Sequence, residues 1–462
     1  MKNLILAVAL LTSSHRVIAQ SITPAESAAI DVLATKTLAS TGVPSASIAV
    51  VRGGKLVFAR AYGKASEAIS AAKPEMPYQI ASISKQFTAM GLLLLEDDGK
   101  LSLDDTVGKW LPGITAGDRI TIRQLLSHTA GLQDNWPQDY SFRAMEHPTS
   151  PQGIVELWAK KSLDYDPGTR WQYSNTGYVV AAIILEKAAH EPLMSFLKKR
   201  VFDPIGIVAL NQDDANSAQY PAGYRRNALG PVRPVVVPGR GWMFGSGMLS
   251  MSAPDLAKWN MARLNRSVLP ADDWAQQEQP VLRSDGTSNG YGLGVYNQRL
   301  RDRRLINHSG GAVGFLTQNY VYPDSKAAIT VLTNADFSGA SDTLVQGIEK
   351  IVLDGPTAAV AEVDRLSDAK ALYEALVSGK LDRSKLTENL NYYFNPTTLA
   401  DYRSSLTRLG TPTLEIARAP RLRGGFVNRT YHLRYAGQSL ALSTYAEPGT
   451  NGRWEQFYIT PE

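Results

Sequence analysis

The segment Ser82-Ile83-Ser84-Lys85 opens an apolar run that extends to Glu96. If this run is helical, the amine of Lys85 lies one turn beyond the hydroxyl of Ser82, on the same face. A serine hydroxyl needs an adjacent base to act as a nucleophile, and burial can lower the pKa of a lysine enough to provide one. The same pattern also fits a serine helix cap followed by an exposed lysine. The apolar surroundings of Lys85 favour catalysis, with Ser82 as nucleophile and Lys85 as base.

Two other segments carry side chains that could act with this pair. Tyr173 and Asn175 lie in Tyr173-Ser174-Asn175, just before a second apolar run, and a tyrosine near a lysine can share protons with a serine nucleophile. A packed tyrosine with Asn175 as a helix cap is the alternative. The segment His308-Ser309-Gly310-Gly311 precedes a predicted strand, and its glycines would let a substrate backbone approach closely. A simple turn is the alternative there.

Two further patterns have weaker claims to chemistry. Ser288 lies in a G-x-S-x-G match at residues 286–290, but that nucleophile turn needs a buried strand before it and a helix after it. The flanks here are polar and rich in turn residues, which disfavours Ser288. A long loop is predicted over residues 212–243, and its arginines could attract an acidic substrate or could simply be solvated: Arg225, Arg226, Arg233 and Arg240.

The elements around these residues predict an α+β fold. Strands come first and last, and helices fill the middle, which suits a layered fold whose sheet takes strands from both ends of the segment. The predicted helices cover 24–42, 80–96, 176–200 and 341–353, and the predicted strands cover 46–52, 55–62, 316–321 and 328–333. The first two strands are joined at Gly53-Gly54, a hairpin signal.

A chain of 462 residues is longer than one hydrophobic core usually serves, so two domains are predicted. The larger covers residues 20–355. After a linker, residues 362–462 form a small α+β domain, in which helical stretches at 368–379 and 397–408 precede β-rich runs at 413–418, 426–435, 438–445 and 454–459.

Residues 1–19 have the pattern of a secretory signal peptide, with Lys2, the apolar run Leu4 to Leu11 and a cleavage site after Ala19. Eight apolar residues are too few for a bilayer core of roughly 30 Å, so we expect a periplasmic or secreted protein without a membrane span after cleavage.

The net charge of the mature chain does not favour a nucleic-acid partner. Cleavage removes Lys2 and Arg16, leaving 46 − 43 = +3, which is too small a charge to favour nucleic acid. The chain has no cysteine and its six histidines are scattered, so neither a metal nor a cofactor is predicted.

Taken together, these segments resemble the serine β-lactamase-like and penicillin-binding-protein superfamily over residues 25–352. The nearest branch is that of class C β-lactamases, family VIII esterases, D-aminopeptidases and DD-peptidases. The motifs that carry the resemblance are IASISKQFTA (80–89), LLSHTAGL (125–132), PGTRWQYSNTGY (167–178), GSGMLSMSAPDLAKW (245–259), YGLGV (291–295) and HSGG (308–311).

The resemblance implies a role for each matching residue. Ser82 would be acylated, Lys85 would be its base, Tyr173 the second proton-transfer residue and Asn175 a substrate-amide contact. His308 occupies the first position of the third motif, where β-lactamases usually have lysine, and Ser309, Gly310 and Gly311 complete that substrate-binding strand. The backbone N–H groups of Ser82 and Gly311 would form the oxyanion hole, while His128 belongs to a signature motif without a catalytic role.

The predicted function is therefore that of a serine hydrolase acting through an acyl-enzyme, without a cofactor, on a small-molecule or short-peptide substrate. Because His308 removes a fixed positive charge, an esterase or D-amino-acid peptidase is favoured over the alternative of a β-lactamase. A second alternative is a non-catalytic peptidoglycan- or peptide-binding regulator that retains the pocket. The C-terminal domain is similar in outline to NTF2-like domains.

Overall fold

The computed structural model describes residues 21–136, 143–216, 218–228, 230–300, 303–354, 365–423, 426–447, 449 and 451–461. The chain divides into two compact units. The first runs to Gln298 and includes Arg304–Gly347, and the second comprises Arg299–Arg303 and Ile348–Glu462. The predicted signal peptide, residues 1–19, and the predicted domain boundary between 355 and 362 lie outside the described residues.

The strands from Ser45 to Thr333 are β1 (Ser45–Arg52), β2 (Lys55–Gly63), β3 (Tyr78–Gln79), β4 (Ala209–Asn211), β5 (Tyr224–Arg225), β6 (Arg233–Pro234), β7 (Leu249–Met251), β8 (Tyr296–Leu300), β9 (Arg303–Ala312), β10 (Phe315–Tyr322) and β11 (Ala327–Thr333). The α-helices from Pro24 to Glu349 are α1 (Pro24–Thr41), α2 (Lys85–Asp97), α3 (Val107–Trp110), α4 (Ile122–Leu126), α5 (Pro151–Ile154), α6 (Asn175–Ala189), α7 (Leu193–Leu197), α8 (Asp203–Ile205), α9 (Ala253–Asn265), α10 (Ala271–Glu278) and α11 (Ala340–Glu349).

The main sheet has six strands in the order β2-β1-β11-β10-β9-β8. The N-terminal hairpin β1–β2 therefore joins the C-terminal strands through antiparallel pairing of β1 with β11, in which Ile48 lies opposite Val331. This confirms the predicted α+β fold with a sheet drawn from both ends of the segment. At the other side of β11, β10 and β9 form a hairpin that presents residues 308–311 near its turn.

Helices α2 and α6 form the centre of the helical layer because both are apolar on nearly every face. Eleven of the thirteen residues of α2 are buried, and Gly91 lets it approach its neighbours, since an added Cβ there would lie 2.6 Å from Leu185 Cδ1. The prediction of one helix over 176–200 was wrong. Helix α6 ends at Ala189, where His190 takes a left-handed conformation, and α7 begins only after Pro192.

After residue 365, the second unit has three α-helices among its described residues, followed by a four-stranded antiparallel sheet. They are α12 (Leu366–Ser378), α13 (Glu388–Tyr393), α14 (Pro396–Thr407), β12 (Thr413–Arg423), β13 (Phe426–Arg434), β14 (Ser439–Ala446) and β15 (Trp454–Pro461). The sheet is a simple meander in chain order. The predicted order of helices before strands is confirmed, although α13, with only six residues, was missed.

No helix within the described residues is long and apolar enough to cross a membrane.

Candidate active site

Ser82 lies in a tight 3-10 turn, Ala81–Ser84, directly before α2. A three-stranded sheet in the order β3-β7-β4 anchors this turn through Leu249. Ile80 N–H donates to the carbonyl of Leu249 at 3.0 Å, and Leu249 N–H donates to Ser84 Oγ at 3.1 Å. Ala81 is fully buried and has φ 48°, a left-handed conformation that costs a non-glycine residue on the order of 1 kcal/mol. The surrounding strands therefore hold a strained turn that presents the Ser82 hydroxyl.

Lys85 is completely buried beside Ser82, as its position three residues later predicted. Its Nζ lies 2.8 Å from Asn175 Oδ1, 2.7 Å from the carbonyl of Ser246 and 3.1 Å from Ser82 Oγ. Burial lowers the pKa of Lys85 to about 7, against a smaller opposing effect of Asp134. A neutral amine has two N–H donors, which the two fixed acceptors use, so its lone pair is left to face the Ser82 hydroxyl.

Tyr173 is the second side chain in contact with the Ser82 hydroxyl. Its Oη donates to Ser82 Oγ at 2.8 Å, so Ser82 sits between the phenol and the amine. Burial strongly raises the pKa of Tyr173, and the phenol therefore keeps its proton at neutral pH. The three sequence-predicted catalytic residues thus meet in one cluster.

Asn175, the first residue of α6, connects this cluster to a carboxylate that the sequence analysis missed. Asp134 accepts from the Asn175 backbone N–H at 2.9 Å and from its Nδ2 at 3.2 Å. These bonds turn the amide so that Oδ1 faces Lys85. Asp134 also places a negative charge near Lys85 without touching it. No local pattern marks Asp134, which precedes Asn175 by 41 positions in the chain.

The motif of residues 308–311 lies on β9, antiparallel to β10, with Gly311 opposite Leu316. Gly310 is required by packing, because an added Cβ would lie 2.2 Å from the carbonyl oxygen of Ile80 in the nucleophile turn. At Gly311 the nearest atom to an added Cβ is Leu316 Cδ2 at 3.6 Å, so this position has room. Ser309 is exposed next to it. The close contact at Gly310 brings the strand against the turn that carries Ser82.

A chain of hydrogen bonds runs behind Tyr173 through two buried histidines. Ser174 N–H donates to His128 Nδ1 at 3.2 Å, so the proton of a neutral His128 lies on Nε2, 3.1 Å from Tyr291 Oη. At the other end, His308 Nδ1 faces the carbonyl of Ser309 at 2.6 Å and must carry a proton. Its Nε2 is then the acceptor for Tyr291 Oη at 2.9 Å. The main chain at each end therefore sets the direction of every bond.

Both histidines are neutral at physiological pH. Burial, then the charge of Lys85, lowers the pKa of His308 to about 3, and burial lowers that of His128 well below its usual value. The imidazole of His128 packs on Tyr173 with 4.2 Å between ring centroids. His128 is thus packed and hydrogen-bonded, in keeping with the resemblance, which gives it no catalytic role. Tyr291 is the partner that the sequence analysis missed within the quoted YGLGV motif.

Replacing Tyr291 by phenylalanine is expected to lower the free energy of unfolding by about 1–3 kcal/mol. The change leaves His128 Nε2–H without its acceptor and His308 Nε2 without its donor, both in a buried environment. Urea denaturation measures the effect. The matched control is Tyr296→Phe, since the half-buried Tyr296 packs on Tyr291 at 4.7 Å without a hydroxyl partner identified among the described residues. Equal losses in both variants would contradict this account of the chain.

The weaker sequence candidates lie elsewhere. Ser288 is in a turn without the strand and helix that a nucleophile elbow needs, and its Oγ accepts from Gly290 N–H at 3.1 Å. Of the loop arginines, Arg240 pairs with Asp214 at 2.7 Å and Arg225 lies 3.7 Å from Asp336. Arg226 stacks over Phe337. Three of the four arginines thus contact other groups of the protein, and the fourth, Arg233, is exposed.

A serine in contact with a buried lysine and a tyrosine, on an α+β scaffold of this topology, defines the class of the serine β-lactamase and penicillin-binding-protein superfamily. A family model described as Beta-lactamase matches residues 30–348. The chain belongs to this family.

Individual relatives agree. A penicillin-binding protein of Bacillus subtilis (strain 168) is 27% identical over 349 residues, which cover 72% of this chain and 77% of that protein. The structure of a D-stereospecific amidohydrolase from Streptomyces sp. superposes with a TM-score of 0.61 and 26% identity, covering 71% of this chain and 99% of that one. The octameric penicillin-binding protein homologue of Pyrococcus abyssi has a TM-score of 0.62 at 20% identity and covers 94% of this chain and 99% of its own. This last likeness extends the shared fold to nearly the whole chain.

Proposed function

We propose that this protein is a serine hydrolase that cleaves ester or amide bonds through an acyl-enzyme on Ser82. The observation that carries the proposal is the position of Ser82 Oγ, 3.1 Å from the amine of Lys85 and 2.8 Å from the phenol of Tyr173. The nucleophile is thus in contact with both a base with a pKa of about 7 and a proton donor.

In the proposed reaction, Lys85 takes the proton of the Ser82 hydroxyl as Oγ attacks the substrate carbonyl. The oxyanion of the tetrahedral intermediate is assigned to the backbone N–H groups of Ser82 and Gly311. Tyr173 gives its proton to the leaving oxygen or nitrogen and regains one from Lys85, so the amine returns to its neutral form. Water then attacks the acyl-serine, its proton passes through the same groups to Ser82 Oγ as the bond from Oγ to the acyl carbon breaks, and the acid product leaves.

The charge of the site supports an ester or D-amino-acid amide substrate over a β-lactam. His308 stands where β-lactamases usually have a lysine, and it is neutral because its pKa is lowered to about 3. No fixed positive charge at this position is then available to hold the β-lactam carboxylate. The similarity to a D-stereospecific amidohydrolase supports the same choice. We expect any hydrolysis of β-lactams to be no more than a weak side activity.

A non-catalytic binding protein is the second candidate, since the resemblance alone does not require turnover. The lowered pKa of Lys85 argues against it, because a buried lysine costs stability and the fold retains one in contact with a serine hydroxyl. We also propose that the protein is exported after cleavage behind Ala19, as the first nineteen residues predict.

The test is intact-mass spectrometry of the full chain, expressed in a bacterial host and treated with a fluorophosphonate. We expect one adduct on the wild type and none on Ser82→Ala, together with loss of p-nitrophenyl ester turnover in that variant. The unlabelled spectrum should show a chain that begins at Gln20.

Ser84→Ala is the matched control, since Ser84 lies in the same turn and its Oγ accepts from Leu249 N–H. It should keep the adduct and lose only stability. A folded wild type without any adduct would favour the binding protein, and a chain that retains residues 1–19 would contradict export.

A further inference from the structure

A cavity of about 310 Å³ opens between the loop 212–243 and the turn that joins β9 to β10. Its walls include Gln79, Asn216, Tyr220, Val235, Val313 and Phe315. Pockets that bind small molecules have volumes from about 300 Å³ upward, so this cavity could hold a single ring or a branched aliphatic group. None of the described residues that line it is Asp, Glu, Lys, Arg or His.

Contacts with the scaffold hold the walls of this cavity in place. On one side, Gln79 Nε2 donates to Asn216 Oδ1 at 2.9 Å. On the other, the loop backbone lies directly on the β9–β10 turn, because a Cβ added to Gly223 would lie 2.9 Å from the Cα of Gly314. The N–H of Val235 donates to the carbonyl of Gly223 at 3.0 Å and joins two parts of the loop that both line the cavity. The space is therefore formed before a ligand arrives.

The cavity adjoins the candidate active site. Gln79 is three residues before Ser82, and Val313 is two residues after Gly311. Since consecutive Cα atoms are about 3.8 Å apart, these walls lie within roughly 11 Å and 8 Å of the nucleophile and the proposed oxyanion site. The nucleophile turn and β9 meet where Gly310 packs on the carbonyl of Ile80. The lining residues include none of Ser82, Lys85 and Tyr173.

We infer that this cavity receives the acyl side of the substrate and selects an uncharged, mainly apolar acyl group. The inference rests on the proposed function, in which Tyr173 protonates the leaving group. The leaving group must then lie next to Tyr173. We place the acyl group on the other side of the carbonyl, toward the β9–β10 turn, which follows Gly311 and Ala312 on β9. A charged acyl group would lose its hydration among valine, proline and phenylalanine side chains without gaining a partner.

The inference is tested with p-nitrophenyl esters that share one leaving group and differ in acyl group: acetate, phenylacetate and the anionic hemisuccinate. For the wild type, kcat/KM on phenylacetate should exceed that on acetate by about tenfold, and hemisuccinate should be the poorest substrate. Val235→Trp fills the cavity and should lower the phenylacetate-to-acetate ratio about tenfold. Val235→Lys should raise the relative rate on hemisuccinate, since it adds a cation to the wall.

The neighbouring residue gives the control. Val236 is 77% exposed and does not line the cavity, so Val236→Trp should leave all three ratios within about twofold. Circular dichroism shows whether each variant is folded, and Val237→Trp, at a lining position 46% exposed, replaces Val235→Trp if that protein does not fold.

These measurements distinguish an error about the acyl pocket from an error about the hydrolase activity. Ester turnover that depends on Ser82, with ratios unchanged by both lining variants, would refute the acyl pocket and leave the proposed hydrolase intact. Absence of any Ser82-dependent turnover would refute the hydrolase, and the role of the cavity with it.

Discussion

Replacing Lys85 by methionine is expected to lower kcat/KM for p-nitrophenyl ester hydrolysis by about 10³-fold. Methionine keeps the length and apolar stem of the lysine but has no group that could take the proton of Ser82. General-base catalysis by a positioned side chain contributes about 10²–10⁴-fold, and the short distances at Ser82 favour a value well inside that range. The measurement is steady-state kinetics of the purified variant beside the wild type.

The pH profile separates loss of a base from a general loss of structure. Only neutral Lys85 can act as a base, and its pKa is lowered to about 7, so the neutral fraction rises as the pH increases through 7. Wild-type kcat/KM should therefore climb with pH around a midpoint near 7, and the residual rate of Lys85→Met should lack this step.

Lys100→Met is the matched control, because Lys100 is an exposed lysine just beyond the end of α2. Its kinetics should equal those of the wild type. If Lys85→Met kept most of its activity while Tyr173→Phe lost it, the phenol would be the base instead.

Replacing Glu278 by alanine is expected to lower the free energy of unfolding by about 3–5 kcal/mol. Glu278, at the end of α10, is almost fully buried and accepts from Arg263 at 3.0 Å, from Arg266 at 2.9 Å and from Arg304 at 2.9 Å. Arg263 is buried as well. Removing one member of a buried ion pair leaves the other charge uncompensated, which is much more costly than losing a surface pair.

The cluster around Arg263 also contacts the start of α2, beside Lys85 of the candidate active site. Arg263 donates to Gln86 Oε1 at 3.0 Å, and Gln277 Nε2 donates to the carbonyl of Gln86 at 2.7 Å. Gln86 directly follows Lys85, so these bonds hold the first turn of α2 from behind. Trp259 and Trp274 enclose the guanidinium, with its carbon 5.5 Å and 4.8 Å from their ring centroids.

Those two tryptophans allow the unfolding of Glu278→Ala to be followed by fluorescence in urea. Glu156→Ala makes the same substitution in an exposed pair with Lys160 and should cost less than about 1 kcal/mol. Equal effects of the two substitutions would show that the buried cluster contributes no more than a surface pair.

Local sequence patterns indicated most of the elements and the candidate catalytic pair, Ser82 and Lys85. The spacing of Ser82 and Lys85 and the apolar run that follows them place both side chains on one face of the helix start, which depends only on neighbouring residues. The hairpin at Gly53-Gly54 is local in the same way, since both glycines adopt the positive φ, 58° and 74°, that such a turn requires. The motifs also indicated the family, which the comparison over residues 30–348 confirms.

Tertiary structure alone decided what surrounds that pair. Lys85 donates to the carbonyl of Ser246, 161 positions away, and Asp134 orients Asn175 across 41 positions. Tyr291 joins two histidines from different parts of the chain, and the cavity appears only where a loop closes on the β9–β10 turn. Periodicity and turn residues report each segment's own conformation, whereas the pKa of Lys85 depends on burial by segments far apart in sequence. The sequence by itself therefore identified the groups that could react, and the folded environment sets their protonation, their orientation and the space beside them.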